Sequence, residues 1–176
     1  MSYRPPTPAG LKPKDLIGVP WRLAFALQSD GWFLRADIIW NKPNCQPESV
    51  KDRPTRSHEY VFLFSKAECY FYNHEAVREP STNGGQSRNL RTLWSINTEG
   101  FKGAHFAVFP PDLVETCLLA GSMPDSLVLD PFLGSGTVAE VCLQNHRKCV
   151  GIELNPEYAD IAQERIRGVQ RNLFRR

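Results

Sequence analysis

Residues 127–138 read "LVLDPFLGSGTV". An apolar run ends in a carboxylate, Asp130, and passes at once into a turn carrying Gly134 and Gly136 before helix-forming residues resume. The order is strand, tight turn, helix. Downstream, the helix "GTVAEVCLQN", the strand "KCVGIEL" and a helix capped by Asn155 with Pro156 at its first position complete a βαβα alternation. Upstream, "PPDLVETCLLAG" sets Leu113, Val114, Cys117 and Leu118 on one helical face, with Gly121 as the stop. The alternation predicts an α/β fold whose parallel strands are joined by a right-handed crossover.

Further towards the N-terminus, "VPWRLAFALQSDG" predicts a helix. Pro20 suits its first turn, Trp21, Ala24, Phe25 and Leu27 can share an apolar face, and Gly31 follows as a stop. "FLRADIIW" and "HEYVFLFSK" predict strands, the second apolar enough for burial on both faces. The proline-rich "NKPNCQPESVKDRPTRS" between them is a loop. In residues 68–103, "CYFYN" is expected to return as a hairpin strand and "EPSTNGGQSRN" to form a polar surface loop. Residues 1–13 form an extended arm, and the whole chain, 1–176, is expected to be a single domain.

Bulk properties exclude several classes. A net charge of +2 does not by itself announce a nucleic-acid partner. Charge placement is more telling: five arginines lie between Arg165 and Arg176, and Lys51, Arg53 and Arg56 share a loop. The five cysteines form no C-x-x-C pair and no zinc-ligand pattern with a histidine, so no metal is expected, and their odd number points to a reducing cytoplasm rather than a disulfide framework. The N-terminus lacks an apolar export segment, and no run reaches the ~20 apolar residues of a membrane span.

Ligands of parallel sheets bind at the carboxyl ends of strands, beside the following helix. Gly134, Gly136 and Ala139 satisfy the G-x-G-x-x-A pattern, and Glu153 ends the next strand where a ribose-binding acid belongs. A structural turn without a ligand has the same pattern. A pyrophosphate on the helix N-terminus would be repelled by Asp130, at a cost of the order of several kcal/mol in a low-dielectric cleft. A sulfonium- and ammonium-bearing ligand would be attracted, which favours S-adenosylmethionine over NAD.

Here the chain resembles a known family. "DPFLGSGTV" with "GIELNPEYADIAQERI" is similar to the cofactor half, residues 104–170 here, of the bacterial DNA amino-methyltransferases, which methylate adenine N6 or cytosine N4. In their beta class this half is C-terminal, as it is here. "FKGAHFAVFPPDLVETCLLAGS" resembles the segment preceding it, and "DIIWNKPNCQPESVKDRPTRSHEYVFLFSKAECYFYN" resembles the family's central part. The resemblance implies a Rossmann-like methyltransferase fold binding S-adenosylmethionine through Asp130, Pro131, Phe132, Gly134, Ser135, Gly136, Thr137, Glu153 and Asn155, with His105, Ala107 and Phe109 beside them. It also implies double-stranded DNA as partner, a role in restriction-modification, and a target-recognition insert at 68–103. Arg53, Arg56, Arg88 and Arg91 are the expected DNA contacts, with Gln86 and Asn89 suited to reading base edges.

One element of the family pattern is absent. The resemblance calls for a tetrapeptide of Ser, Asp or Asn, then Pro-Pro and an aromatic, which grips the amine and stacks on a flipped base. "RPPT" lacks both the acceptor and the ring, and "FPPD" carries its ring on the wrong side. No catalytic residue is therefore assigned, and two central strands of the family's sheet are expected to be missing. Three explanations stand: a shortened or split gene product, a degenerate relative that binds S-adenosylmethionine or DNA without catalysis, or a chain completed by a second polypeptide.

Overall fold

The computed structural model describes residues 7–81, 84–99 and 108–173, with side chains described to residue 170. The chain divides into two compact units, residues 1–37 with 62–70 and residues 38–61 with 71–176.

The first unit is organised by aromatic side chains around helix α1 (Val19–Ser29). Gly18, left-handed at φ 69°, and Pro20 in the first turn start the helix, and Gly31 at φ 96° follows its end. Trp21 lies 5.6 Å from the Phe25 ring and 5.0 Å, edge-on, from Phe62. Ala24 is the buried residue of the helix, whereas Phe25, expected on the same apolar face, is 53% exposed.

Strands β1 (Phe33–Asn41) and β2 (His58–Ser65) form where the apolar runs predict them. Two further pairings follow. β3 (Glu79–Pro80) and β4 (Ser87–Arg88) make a short antiparallel ladder across the Gly84–Gly85 turn region, and β5 (Leu93–Ser95) runs parallel to β1. The three-stranded sheet has the order β2-β1-β5. The expected strand at 69–73 does not form. Instead Asn73 donates its N–H to the Ala120 carbonyl, and its side-chain oxygen accepts from Ala76, starting the 3-10 turn Glu75–Val77.

The predicted C-terminal alternation is present throughout. Helix α2 (Pro111–Gly121) precedes β6 (Leu127–Asp130), α3 (Thr137–Gln144), β7 (Lys148–Gly151) and α4 (Pro156–Leu173). β6 and β7 are parallel, with Leu127 opposite Lys148 and Asp130 opposite Gly151. Leu118, Val141 and Cys142 form a buried cluster joined by Val114, Val128, Val138 and Cys149, so α2 and α3 cover one face of the strand pair. Each such aliphatic side chain contributes about 1.5–3 kcal/mol when fully buried. The alternate residues face the other way: Leu127, Leu129 and Val150 are 68%, 62% and 48% exposed. The architecture is thus a Rossmann-like α/β arrangement with a partial sheet. Among the described residues no helix is long and apolar enough to cross a membrane.

Candidate functional site

The site grows from the end of β6. Asp130 Oδ1 accepts the Phe132 N–H at 3.0 Å, closing a short turn over Pro131, which has no N–H of its own to satisfy. The next residues are stapled to the chain leaving β7: Ile152 donates to the Asp130 carbonyl and Leu133 to the Ile152 carbonyl, both at 2.9 Å. Gly134 and Gly136 take φ 53° and 85°, the left-handed region that favours glycine. At Gly136 glycine is required twice over, because a Cβ there would lie 2.9 Å from Ala162 Cβ of α4.

Glu153 is the second acid of the site and is held by main-chain donors. Its two oxygens accept from Asn155 N and Gly134 N, each at 2.8 Å. The Asn155 and Gly134 amides hold this carboxyl below its ordinary range against the opposing pull of desolvation. The glycine turn and the end of β7 are therefore locked together by one carboxylate. Asn155 itself caps α4, its side-chain oxygen accepting from Glu157 N at 3.0 Å. The hydroxyl of Thr137, a residue only 3% exposed, accepts from Arg165, which also pairs with Glu140. Thr137 is thus tied to α4 from within the fold.

Ser135 differs from its neighbours. Its side chain is buried, and among the described residues its Oγ has no hydrogen-bond partner. A buried hydroxyl left unsatisfied costs about 1–3 kcal/mol, so the position calls for a polar ligand atom. Ser135 lines a cavity of about 90 Å³ together with Asp130, Phe132, Gly134, Thr137 and Phe109. Phe132 and Phe109, which also line it, are 87% and 52% exposed. A larger cavity of about 580 Å³, bounded by Tyr60, Val61, α2 and β6, is almost wholly apolar and holds none of these polar groups. The smaller, polar cavity fits a charged ligand better.

Among the sequence-predicted residues, the structure brings together Asp130, Pro131, Phe132, Gly134, Ser135, Gly136, Thr137, Glu153, Asn155 and Phe109. His105 and Ala107 lie outside the described residues. Sequence reasoning missed Leu133, Val108 and Val138, which also line the small cavity, and Gly151, where a Cβ would meet Leu133 Cδ2 at 2.6 Å. Register offers the only signal for Gly151, since it pairs with Asp130. Cys142, fully buried, is pushed up to about 12 by that burial and stays a thiol. Among the described residues no three His, Cys, Asp or Glu side chains gather as a metal site.

The four expected DNA-contacting arginines fall in two groups. Arg53 is bound to Glu48 at 2.7 Å, and Arg56 reaches the His58 carbonyl at 3.4 Å. Arg88 and Arg91 share one acceptor, Glu79 Oε1, at 2.7 and 2.5 Å. Arg78, unremarked in the sequence, braces the same hairpin by donating to the Ser87 hydroxyl and carbonyl.

A family model described as DNA methylase, of the N6/N4 type, matches residues 7–164. The chain is 66% identical over 167 residues to the type II methyltransferase M.SmaI of Serratia marcescens, covering 94% of this chain and 57% of that one. It is 63% identical over 175 residues to M.Cfr9I of Citrobacter freundii, covering 99% and 58%. The chain therefore spans less than three-fifths of the length of these curated relatives. Among solved structures, the cytosine-N4-specific PvuII DNA methyltransferase superposes with a TM-score of 0.71 at 26% identity, over 85% of this chain and 59% of that one. The complex of M1.HpyAVI with SAM gives 0.69 at 26% identity, over 86% and 71%.

Proposed function

Because this chain belongs to the N6/N4 DNA methylase family, we propose that its 130–137 turn binds S-adenosylmethionine for methyl transfer to an exocyclic amine, adenine N6 or cytosine N4, of double-stranded DNA. The observation that carries this reading is the pairing of an acidic rim with an unsatisfied hydroxyl. Asp130 and Glu153 flank a glycine turn in which buried Ser135 Oγ has no partner among the described residues.

The residues present suit the ligand in charge. Asp130 attracts the ammonium group, Ser135 Oγ supplies a hydrogen bond to the amino-acid end, and the outer lone pairs of Glu153 accept from ribose hydroxyls. Phe109 and Phe132 flank the adenine. When bound, the cofactor supplies an electrophilic methyl group. The protein's task is to hold that group in line with a base brought to the mouth of the cavity, since an exocyclic amine is a poor nucleophile and positioning is what such a site can offer. Arg53, Arg56, Arg88 and Arg91 serve the phosphate backbone or base edges of the duplex. Modification of DNA within a type II restriction system fits the relatives' names.

The absent Pro-Pro-aromatic tetrapeptide favours a second reading, in which this chain alone binds cofactor and DNA without turnover. Calorimetric titration tests the ligand: micromolar binding of S-adenosylhomocysteine with no binding of NADH is expected, and the reverse result would overturn the assignment. Transfer of labelled methyl to unmethylated DNA separates the two readings. Little or none is expected from this chain alone, and turnover at the level of the full-length relatives would place catalysis within it.

A further inference from the structure

The chain that leaves β5 rests on β1 and on the loop that follows β1. Ile96 donates its N–H to the Asn41 carbonyl at 3.1 Å, and buried Trp40 donates its indole N–H to the Ile96 carbonyl at 2.8 Å. Asn41 adds a bond from its side-chain amide to the Ser95 hydroxyl at 3.1 Å. Beyond the last register pair, Asn41 with Ser95, a single side chain takes over. Asn44 Nδ2 donates to the Thr98 carbonyl at 2.9 Å, while its Oδ1 accepts from the Thr98 N–H at 2.8 Å and from the Thr98 hydroxyl at 3.3 Å. A carboxamide that both gives to and takes from the backbone of one residue imitates a neighbouring strand, so a side chain prolongs the β1–β5 ladder.

The two segments joined by this clasp lead to different places. Asn44 stands in the loop 42–57, which is drawn together at its base by the Lys42 N–H on the Ser57 carbonyl at 2.8 Å and by the ion pair of Lys42 with Glu59. Pro43, Pro47 and Pro54 restrict its backbone, and it carries Arg53 and Arg56, two of the duplex-facing arginines of the proposed function. Thr98 lies on the chain that runs on to Val108 and Phe109, which line the small cavity with Asp130 and Ser135. Phe109 also borders the larger cavity together with Tyr60 and Val61 of β2, the strand into which the loop feeds.

We infer that Asn44 is a positioning residue through which the loop 42–57 and the cofactor cavity sense each other. Duplex on the loop tightens the hold of the cavity on cofactor, and cofactor tightens the hold of the loop on duplex by the same factor. This inference rests on the proposed function. Either ligand orders one side of the clasp, so the second has less chain left to order when it binds. All three Asn44 bonds are exposed, which suits a joint between two segments rather than a core contact, and their loss leaves the backbone pairing of β1 with β5 in place.

The experiment titrates the full chain with S-adenosylhomocysteine by calorimetry at low salt, alone and with a saturating short duplex of mixed sequence. Wild type is expected to bind it about fivefold or more tightly when duplex is present. Asn44→Ala is expected to keep its circular dichroism and, within about twofold, its affinity for S-adenosylhomocysteine alone, and to lose the gain. Asn44→Gln, which retains the carboxamide, is expected to regain part of it, and Asn44→Asp, whose second oxygen faces the Thr98 carbonyl, to regain none. Hydrogen exchange reads the clasp without cofactor: duplex is expected to protect residues 95–98 together with 42–57 in wild type, and 42–57 alone in Asn44→Ala. Equal affinities with and without duplex in wild type would overturn the inference. So would a gain that survives in Asn44→Ala, a loss in that variant of the same size with and without duplex, or protection of the loop alone in wild type. Binding of both ligands without mutual effect defeats the clasp and leaves the functional reading standing, whereas wild type that fails to bind S-adenosylhomocysteine or duplex defeats that reading and the inference with it.

Discussion

Glu153 and Glu79 are each gripped by two donors, but the donors differ in kind. Glu153, beyond β7, is held by the backbone amides of Gly134 and Asn155, whereas Glu79, on β3, is held by the guanidiniums of Arg88 and Arg91. Backbone donors cannot leave without unfolding the turn. Guanidiniums sit on long side chains and can be transferred to a stronger anion such as a phosphate. The comparison separates a region whose geometry is fixed before any ligand arrives from one whose charges are poised to be exchanged.

The comparison breaks most severely if the backbone of the fixed region is altered. Gly136→Ala places a side chain at φ 85° with its Cβ 2.9 Å from Ala162 Cβ. Left-handed strain of about 1–2 kcal/mol and overpacking of about 1–3 kcal/mol add to a loss of about 2–5 kcal/mol. Thermal unfolding is expected to fall by about 5–15 °C, with S-adenosylhomocysteine binding lost at temperatures where the fold survives. Gly151→Ala is gentler. Its Cβ meets the flexible end of Leu133, which can rotate away, so about 1–2 kcal/mol and a weakened cofactor affinity are expected.

Glu153→Gln sharpens the comparison without touching the backbone. The substitution turns an acceptor of two amides into a group with one acceptor and one donor, so the Gly134 or Asn155 amide loses its partner. Cofactor affinity is expected to drop about tenfold or more by titration. The acid limb of stability tests the same clamp. The folded carboxyl lies below its ordinary value of 4.5, so its contribution is complete above that pH and disappears as the pH falls through the lower folded value. Wild-type Tm is expected to decline through that window more steeply than that of Glu153→Gln, and parallel declines would show that the clamp has no linkage to folding.

What could be read from sequence follows the range of the interactions involved. The β6-α3-β7-α4 run was legible because its cues are local: Asp130 at a strand end, glycines at the turn, Asn155 and Pro156 at a helix start. The clamp on Gly134 was not, because Glu153 lies 19 residues away and its role as an amide acceptor depends on the register of two strands. β5 has three residues and pairs with a strand some fifty positions earlier, leaving no periodic trace. The aromatic run at 69–73 has strand propensity, yet no strand forms there and Asn73 binds the end of α2. Arg88 and Arg91 were legible as cations, but their shared acceptor was not, since Glu79 meets them only when the hairpin closes.

Glu79→Gln tests the exchangeable side of the comparison and has the smallest expected effect on the fold. Burial pushes the Glu79 carboxyl up, but the hydrogen bonds from Arg91 and Arg88 outweigh it and keep the group ionised. Glutamine offers the guanidiniums no charge, so both are released towards solvent while the β3–β4 ladder retains its backbone pairing and the brace from Arg78. The melting temperature is therefore expected to move little. If Arg88 and Arg91 are exchanged onto phosphates when DNA binds, the wild-type protein must first break their bonds to Glu79, and the variant need not. Its affinity for duplex DNA of arbitrary sequence is expected to rise at low salt and to fall more steeply with added salt, the slope of log K against log salt growing by up to about 0.9 for each added phosphate contact. An unchanged slope would mean that these two arginines never leave the hairpin, and that Glu79, like Glu153, belongs to the fixed part of the molecule.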